Sequence, residues 1–192
     1  MEVTATNRLA ADLKLGTRAY HDDLEAKLDL LNSELSLARY VATLSRTYGF
    51  YRALENNLGT CEASSAWITS RFKSELLLID LNYFKVDTDK LKLCGFAPDP
   101  ATFAEVLGCL YVTEGATLGG QIIKRHVIRR LGAEAVQGCS FYSGYDEMTG
   151  PLWREFRTVL DSQPHNSRAS TLKFAKLTFT TLLEWMSEGD LA

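Results

Sequence analysis

The sequence predicts an all-α protein, and three observations lead to that prediction. Apolar residues recur three and four positions apart through most of the 192 residues, which is the period of an amphipathic helix. No convincing stretch alternates apolar and polar residues as a half-buried strand does. Ser, Asp and Pro precede several apolar segments and Gly follows others, as at the ends of helices. We therefore expect one domain over residues 1–192, folded as a multi-helix bundle.

The predicted helices are separated by short connections. Their caps are Asn32, Ser33 or Ser36 for the second helix, and Asp99 with Pro100 in the first turn for the fourth. Residues 79–100 and 132–145 are rich in turn-forming residues and are expected to be mostly connection. The expected segments run from Leu9 to Leu31, Ser36 to Gly59, Ala63 to Leu78, Pro100 to the glycines at 115–120, Gln121 to Leu131, Met148 to Leu160, and onward from Pro164.

Composition and charge exclude several classes of function. A net charge of −3 gives no basic surplus, so nucleic-acid binding is not expected. The four cysteines are widely and irregularly spaced, which disfavours a zinc site and indicates reduced thiols in a cytoplasmic protein. No apolar run reaches the roughly 20 residues of a membrane span. No signal peptide is expected, and because residues 187–190 are polar, no tail anchor is expected either.

The first predicted helix carries a row of polar residues beside its apolar stripe. Lys14, Arg18, His21 and Glu25 follow one another at intervals of four, three and four, which places them on one stripe. Such a row can line the rim of a pocket for a flat apolar ligand with a metal at its centre and acids at its edge. The alternative is an ordinary solvated face, which is common for rows of Lys, Glu and a single His.

Three glycines interrupt the helical pattern later in the chain. Gly115, Gly119 and Gly120 fall within six positions, and each costs a helix roughly 1 kcal/mol relative to alanine. Gly115 and Gly119 share a face, so a flat ring could lie against the helix without an intervening side chain. Gly119-Gly120 also favours a kink. Close packing against another helix explains the glycines equally well. A phosphate-binding loop is a weaker alternative, because the usual glycine spacing and the preceding strand are missing.

Taken together, the two segments resemble the heme oxygenase family, most closely the bacterial branch found with bacteriophytochromes. The resemblance is carried by the Lys14–Glu25 row and by Tyr111-Val-Thr-Glu-Gly-Ala-Thr-Leu-Gly-Gly-Gln121. Tyr48-Gly-Phe-Tyr51, Phe141-Tyr-Ser-Gly-Tyr145 and the last helix add weaker support over nearly the whole chain. It implies a heme oxygenase-like bundle with heme sandwiched between a proximal and a kinked distal helix. The implied reaction cleaves heme oxidatively to biliverdin, carbon monoxide and ferrous iron, using O2 and external electrons.

The resemblance also assigns roles to residues. His21 is implied as the axial ligand of heme iron, with Glu25 fixing its tautomer, and Lys14 and Arg18 as partners of the heme propionates. His21, Gly115 and Gly119 are the implied catalytic residues. The residues implied to surround heme b, which is cofactor and substrate at once, are Lys14, Thr17, Arg18, His21, Glu25, Tyr111, Gly115, Ala116, Gly119, Gly120 and Lys176.

One departure from the family pattern keeps two alternatives open. Ala116 stands where many members carry an aspartate that organises the waters that protonate bound oxygen, and Glu114 lies about 100° away on a helix. A non-catalytic heme-binding or delivery protein on the same fold is therefore one alternative. A heme-free relative, of the thiamine-salvage or diiron type, is the other, although no Glu-x-x-His pair is present. His126, in the basic run 124–130, is expected on a solvated face.

The implied partners follow from what the chain lacks. No flavin, nicotinamide or iron–sulfur motif occurs, so an external donor such as a ferredoxin or a flavin reductase is expected. Biliverdin made by this branch would serve a phytochrome as chromophore, with iron acquisition as the other physiological role.

Overall fold

The computed structural model describes residues 8–188, and every regular element in that range is helical, which confirms the predicted all-α fold. Residues 1–7 and 189–192 lie outside the described residues, and with them the start of the chain, where a signal peptide would lie, and part of the polar end that argues against a tail anchor. The α-helices are α1 (Leu9–Leu28), α2 (Leu37–Thr60), α3 (Ala66–Thr69), α4 (Ser74–Tyr83), α5 (Phe103–Leu131), α6 (Ser140–Ser143), α7 (Thr149–Asp161) and α8 (Arg168–Ser187).

Helix α8 lies between α1 and α5 and packs along both, whereas α1 and α5 pack little against each other. On α1, a Cβ at Gly16 would come within 2.9 Å of Leu172, and further along the His21 ring lies 6.2 Å from the Phe179 ring. His21 follows Gly16 along α1, and Phe179 follows Leu172 along α8, so the two helices run in the same direction.

Helix α5 also runs in the same direction as α8. Near the start of both helices, Ser170 donates a hydrogen bond to Glu105 over 3.3 Å. One turn further along α5 and two turns further along α8, the Cys109 thiol and the Thr178 hydroxyl interact. Since both helices are aligned with α8, α1 and α5 are aligned with each other.

The start of α5 differs from the prediction. Thr102 caps the helix and Glu105 completes a capping box, because the Thr102 hydroxyl accepts from the Glu105 N–H and the Glu105 carboxylate accepts from the Thr102 N–H. Pro100 therefore precedes the helix instead of occupying its first turn. The predicted end at Gly132 is confirmed, where φ is +70°.

The glycines do not divide α5. The predicted separate segments before and after residues 115–120 form one helix of 29 residues. Buried apolar residues on both sides of the glycines, such as Leu110 and Val127, tie both halves to the core and offset the low helix propensity of glycine.

Helix α5 and the turn that follows it (Phe103–Ala135) are long and apolar enough to cross a membrane by length and composition. More than half of the qualifying window is buried within the fold, as is usual for the core helix of a bundle. This result therefore gives only weak evidence for a membrane span.

The predicted helix over 63–78 is wrong. The chain forms two helices there, α3 and α4, and the break between them buries Arg71 and Lys73. The backbone N–H groups of Lys73 and Ser74 donate to the Glu55 carboxylate, at 2.6 Å for Lys73. The hydrogen bonds from these N–H groups to Glu55 replace the helical hydrogen bonds that are lost at the break.

Other boundaries shift by a few residues. Ser36 caps α2 as predicted, accepting from the Arg39 N–H at 3.1 Å, whereas α2 continues through Gly59 to Thr60. Leu31 lies beyond the end of α1 and is exposed. Residues 132–145 contain the short helix α6, and Pro164 precedes a 3₁₀ turn that leads into α8.

Candidate functional site

The polar row on α1 forms as predicted. Leu13, Thr17 and Leu24 face the core, while the side chains of Lys14, Arg18, His21 and Glu25 all stay exposed. The row therefore lines the outer side of α1. Thr17, one residue before Arg18, is buried and does not belong to this exposed row.

His21 lies at the middle of the row with both ring nitrogens near carboxylates. Nε2 is 3.7 Å from Glu25 Oε1, and Nδ1 is 3.5 Å from Asp22 Oδ1. Whichever nitrogen binds a metal, a carboxylate stands beside the other one and can orient the ring. Asp22 was not predicted in this role, although its position next to His21 could have indicated it.

Thr17 of α1 and Tyr111 of α5 mark the place where these two helices meet. Burial raises the pKa of the Tyr111 hydroxyl, and its interaction with the Thr17 hydroxyl acts in the opposite direction. One helical turn further along lie His21 on α1 and Gly115 on α5. We call the space that opens there, bounded also by Gly119 and by Phe179 of α8, the interhelical groove.

The α5 side of the interhelical groove carries almost no side-chain bulk. A Cβ added at Gly115 or Gly119 would meet no atom within 4 Å. Leu118 and Ile122 flank the glycines on the same side of α5 and are 47% and 54% exposed. Large apolar side chains with this exposure mark a surface that a ligand or partner can cover.

Gly120 differs from its two neighbours. It is buried, and a Cβ there would come within 2.5 Å of the Tyr142 carbonyl oxygen. The structure thus gives Gly120 a packing role against α6, and its contact with a cofactor stays a prediction.

These features fit a flat apolar ring that carries a metal. The exposed imidazole of His21 lies beside Phe179 of α8, and on α5 the open positions Gly115 and Gly119 have exposed apolar neighbours. Lys176, half-buried on α8, lines a surface depression of about 360 Å³ together with Lys173 and Leu172. Because Leu172 contacts Gly16, this depression borders α1, so cations lie along α8 where a ring with acidic substituents could extend.

Behind α5 the structure contains a cluster of buried charges that the sequence analysis missed. Glu114 and Lys73 are each 1% exposed, and their Oε1 and Nζ atoms lie 2.5 Å apart. Arg71 donates to Glu114 Oε2 at 2.8 Å, and the Tyr145 hydroxyl donates to Oε1 at 2.7 Å. We call Glu114, Lys73, Arg71 and Tyr145 the buried cluster. Its residues are scattered through three segments, and only the polar positions inside an apolar helix pattern could have indicated it.

Burial dominates the protonation behaviour of the buried cluster. It lowers the pKa of the Lys73 ammonium, against the opposing attraction of Glu114. Burial also raises the pKa of the Tyr145 hydroxyl well above its usual range, and the Glu114 carboxylate adds to this rise. Both shifts favour the neutral forms of these two groups.

Ala116 lies between the interhelical groove and the buried cluster. It is exposed, and it also lines a cavity of about 10 Å³ that Lys73, Thr113 and Thr117 border. The Glu114 carboxylate points into the buried cluster and away from the interhelical groove. This agrees with the sequence, which places Glu114 on a different side of the helix from Ala116.

Other predicted features lie away from this site. The four cysteines are free, as predicted. His126 is half-buried and its Nε2 lies 3.0 Å from the Asn32 carbonyl oxygen. Arg125 and Arg129 are exposed, in line with a solvated basic face.

Comparison with known proteins defines the class. Residues 7–188 match the model of the Heme oxygenase family. The chain therefore belongs to the heme oxygenase family. No curated protein matches it.

Solved structures share the fold. Heme oxygenase from Leptospira interrogans superposes with a TM-score of 0.75 at 22% identity, over 95% of this chain and 100% of the other. The NO- and CO-bound heme oxygenase from Neisseria meningitidis gives 0.77 at 20% identity, over 94% and 91%. Heme oxygenase-1 from Synechocystis, in complex with heme, gives 0.75 at 17% identity, over 94% and 91%.

Proposed function

We propose that this protein is an active heme oxygenase. It cleaves heme b oxidatively to biliverdin, carbon monoxide and ferrous iron, with dioxygen as oxidant, external electrons, and water as the remaining product. The observation that carries the proposal is that His21 and the open positions Gly115 and Gly119 all follow the contact between Thr17 and Tyr111, with His21 and Gly115 one helical turn beyond it. Membership of the family supports the same reaction.

On the α1 side, we assign His21 as the axial ligand. Bound heme supplies the iron at which dioxygen is activated and the porphyrin that is oxidised. The carboxylate beside the ring nitrogen that does not bind iron, Glu25 at 3.7 Å from Nε2 or Asp22 at 3.5 Å from Nδ1, can accept from that N–H and fix the tautomer. The Phe179 ring contacts the imidazole edge-on and limits its rotation.

On the α5 side, Gly115 and Gly119 let the backbone approach the ring plane closely. Ala116 adds only a methyl group, and Leu118 and Ile122 offer apolar surface to exclude water. Tyr111 and Thr17 close the groove at one end by joining the two helices. If heme binds here, Gly115, Gly119 and Ala116 would leave space for a small ligand such as dioxygen.

Lys14, Arg18 and Lys176 are proposed as partners of the propionates. All three are cations outside the core, and Arg18 already lies 3.8 Å from the exposed Asp22. Ammonium and guanidinium groups form charge-assisted hydrogen bonds with carboxylates, and such contacts select which edge of the ring points inward.

Electrons must reach the heme from a separate protein, for which we propose a ferredoxin or a flavin reductase. A cytoplasmic location suits both such a donor and the four free cysteines. We further propose that the protein belongs to the bacteriophytochrome-associated branch and hands biliverdin to a phytochrome.

Adding hemin to the purified protein tests the function. A Soret band should appear at near-stoichiometric hemin, and reduction in air should replace it with the absorption of biliverdin. A heme that survives reduction in air would instead identify a heme carrier, the alternative favoured by Ala116. The absence of any Soret band would identify a heme-free relative.

Replacing His21 with alanine tests the axial assignment. His21→Ala should alter the ferric and ferrous spectra and slow biliverdin formation at least tenfold, because the ring nitrogen that binds iron is lost. His126→Ala is the matched control, since His126 lies on the basic face and contacts the Asn32 carbonyl. Spectra and rates of His21→Ala that equal those of the control would remove the assignment.

The propionate contacts have their own readout. Lys14→Ala and Arg18→Ala should weaken heme binding or change the distribution of biliverdin isomers, because the ring is then free to rotate in its plane. Arg125→Ala, an exposed cation on α5, serves as the control. Unchanged affinity together with an unchanged isomer distribution would contradict the assignment.

A further inference from the structure

A line of aromatic rings leads from Tyr111 toward the outside of the protein, and the proposed function gives it no role. The centroids of the Tyr111 and Trp153 rings lie 6.0 Å apart. From Trp153 to the buried Phe156 the distance is 5.7 Å, and from Phe156 to Trp67 it is 6.1 Å. All three distances are those of aromatic rings in contact. We call Tyr111, Trp153, Phe156 and Trp67 the aromatic chain.

The two ends of the aromatic chain lie in different surroundings. Tyr111 meets Thr17 where α1 and α5 come together, one helical turn before Gly115, so this end borders the interhelical groove. At the other end, Trp67 of α3 is half-buried and reaches the surface. The rings of Trp153, Phe156 and Trp67 are also nearly parallel, with 29° and 13° between successive planes. The chain therefore links the groove to solvent through rings in contact.

Trp67 has an unusual partner for its indole N–H group. Nε1 donates to the half-exposed carboxylate of Glu155 over 2.7 Å. Trp185, in another part of the bundle, donates instead to the Arg46 carbonyl oxygen over 2.8 Å. A carboxylate is a base that can take the indole proton, whereas a carbonyl oxygen only accepts a hydrogen bond. Packing of apolar rings explains the aromatic chain itself but not this base at its outer end.

Arg71 makes that base necessary if Trp67 is to lose an electron. Its guanidinium carbon lies 4.2 Å from the centre of the Trp67 ring. A fixed positive charge at this distance opposes the formation of a second positive charge on the ring. Oxidation of Trp67 is therefore favourable only when the indole proton leaves with the electron. Glu155, which Arg71 also holds at 2.9 Å, is placed to receive that proton.

We propose that the aromatic chain carries oxidising equivalents from the interhelical groove to Trp67 when hydrogen peroxide reacts with bound heme. The inference rests on the proposed function for the presence of heme. Hydrogen peroxide takes up two electrons and two protons, its O–O bond breaks, and two water molecules form. Each electron passes from Trp67 through the rings to the groove, while the indole N–H bond breaks and its proton passes to Glu155.

A one-electron reductant in solution, such as ascorbate or a thiol, then restores Trp67. It returns one electron to the indole radical, and Glu155 returns the proton to the indole nitrogen. Two reductant molecules are oxidised for each peroxide, and the two protons that they release balance the two that are consumed at the groove. The advantage to the protein is that His21 and Tyr111 escape oxidation. Short steps between touching rings achieve this transfer faster than one long step, because electron tunnelling falls exponentially with distance.

Radical detection on the heme-loaded protein tests the proposal. After mixing with hydrogen peroxide and rapid freezing, electron paramagnetic resonance should show an organic radical. Its signal should narrow when the protein contains ring-deuterated tryptophan, which identifies an indole. Peptide mass spectrometry should then find oxidation products at Trp67, and added ascorbate should remove both signals. The heme-free protein with the same peroxide is the control and should show neither. A radical confined to tyrosine, or none at all, would overturn the proposal.

Two variants test the path and the base separately. Glu155→Gln keeps the shape of an exposed side chain but removes the base, so the Trp67 radical and its oxidation products should be lost. Trp153→Phe interrupts the path with a ring that resists oxidation, so oxidation should shift from Trp67 to Tyr111. Glu134→Gln, an exposed carboxylate after the end of α5, is the control and should change nothing. Hemin titration checks that each variant keeps its pocket. An unchanged Trp67 radical in Glu155→Gln would overturn the role of the base, and one in Trp153→Phe would overturn the path.

The outcomes separate this proposal from the proposed function. If the protein cleaves heme with dioxygen and reductant but forms no Trp67 radical with peroxide, the electron path is overturned and the oxygenase function stands. If the protein binds heme without cleaving it, the oxygenase function falls, and the Trp67 radical still decides the electron path. If no heme binds, both proposals fall.

Discussion

Replacing Gly115 with alanine should stabilise the heme-free protein while weakening its function. A Cβ at Gly115 meets no atom within 4 Å, so the new methyl group clashes with nothing in the protein. Alanine is favoured over glycine in a helix interior by about 0.8–1.0 kcal/mol. In a chain of 192 residues, that gain corresponds to a rise in Tm of about 2–4 °C. The same methyl group projects into the interhelical groove, where overpacking costs about 1–3 kcal/mol, or roughly fivefold to 150-fold in heme affinity.

Thermal unfolding of the heme-free protein and titration with hemin measure the two effects separately. Gly59→Ala is the matched control, because this exposed glycine in the last turn of α2 would place its Cβ 3.8 Å from the Phe72 ring, an ordinary contact, and α2 does not bound the groove. It should leave heme affinity unchanged. Gly120→Ala should lower Tm instead, since its Cβ would lie 2.5 Å from the Tyr142 carbonyl. A Gly115→Ala protein that gains stability and keeps full heme affinity would refute the assignment of a heme face to α5.

Two further predictions concern stability. Glu114→Gln should lower the free energy of unfolding by about 3–5 kcal/mol in urea titrations, because it leaves Arg71 and Lys73 buried without their counter-charge. Glu155→Gln, at the half-exposed end of the same network, should cost less than about 1 kcal/mol, and equal costs would contradict the burial argument. Burial raises the pKa of the Cys109 thiol from 9.0 to about 12. Between those values the unfolded thiol loses its proton and the folded one keeps it, so stability should fall as pH rises, by at most about 1.4 kcal/mol per pH unit. Cys109→Ala should make the urea midpoint less dependent on pH between 9 and 10, and an unchanged slope would contradict the shifted pKa.

The sequence predicted features that depend on local spacing. The row on α1 is a matter of helical period, and the structure keeps Lys14, Arg18, His21 and Glu25 exposed while Thr17 turns inward. The N-cap at Ser36 and the end of α5 at Gly132 also follow from residues next to the boundary. Each of these predictions needed only the chemistry of a few neighbouring positions.

Features that depend on distant contacts could not be predicted in this way. The apolar period over residues 63–78 suits one helix, and the break appears only because Glu55 of α2 binds the backbone N–H groups of Lys73 and Ser74. The glycines of α5 present the same difficulty. Period alone places Gly115 and Gly119 on one face, but only the contacts tell an open face from a packed one such as that of Gly120.

The face of α5 that is formed by Gly115 and Gly119 depends on the buried cluster behind it. A helix face made of Gly115 and Gly119 contributes no side chains that could hold α5 in place. The fixing contacts must therefore come from the other faces of the same turns. Glu114 supplies them through Arg71 and Lys73, which tie α5 to the break between α3 and α4. Because these contacts approach from behind, α5 can be positioned firmly while its groove face stays open for a ring. The buried charges of Glu114, Arg71 and Lys73 therefore hold α5 in position, so that the helix can keep glycine on its groove face.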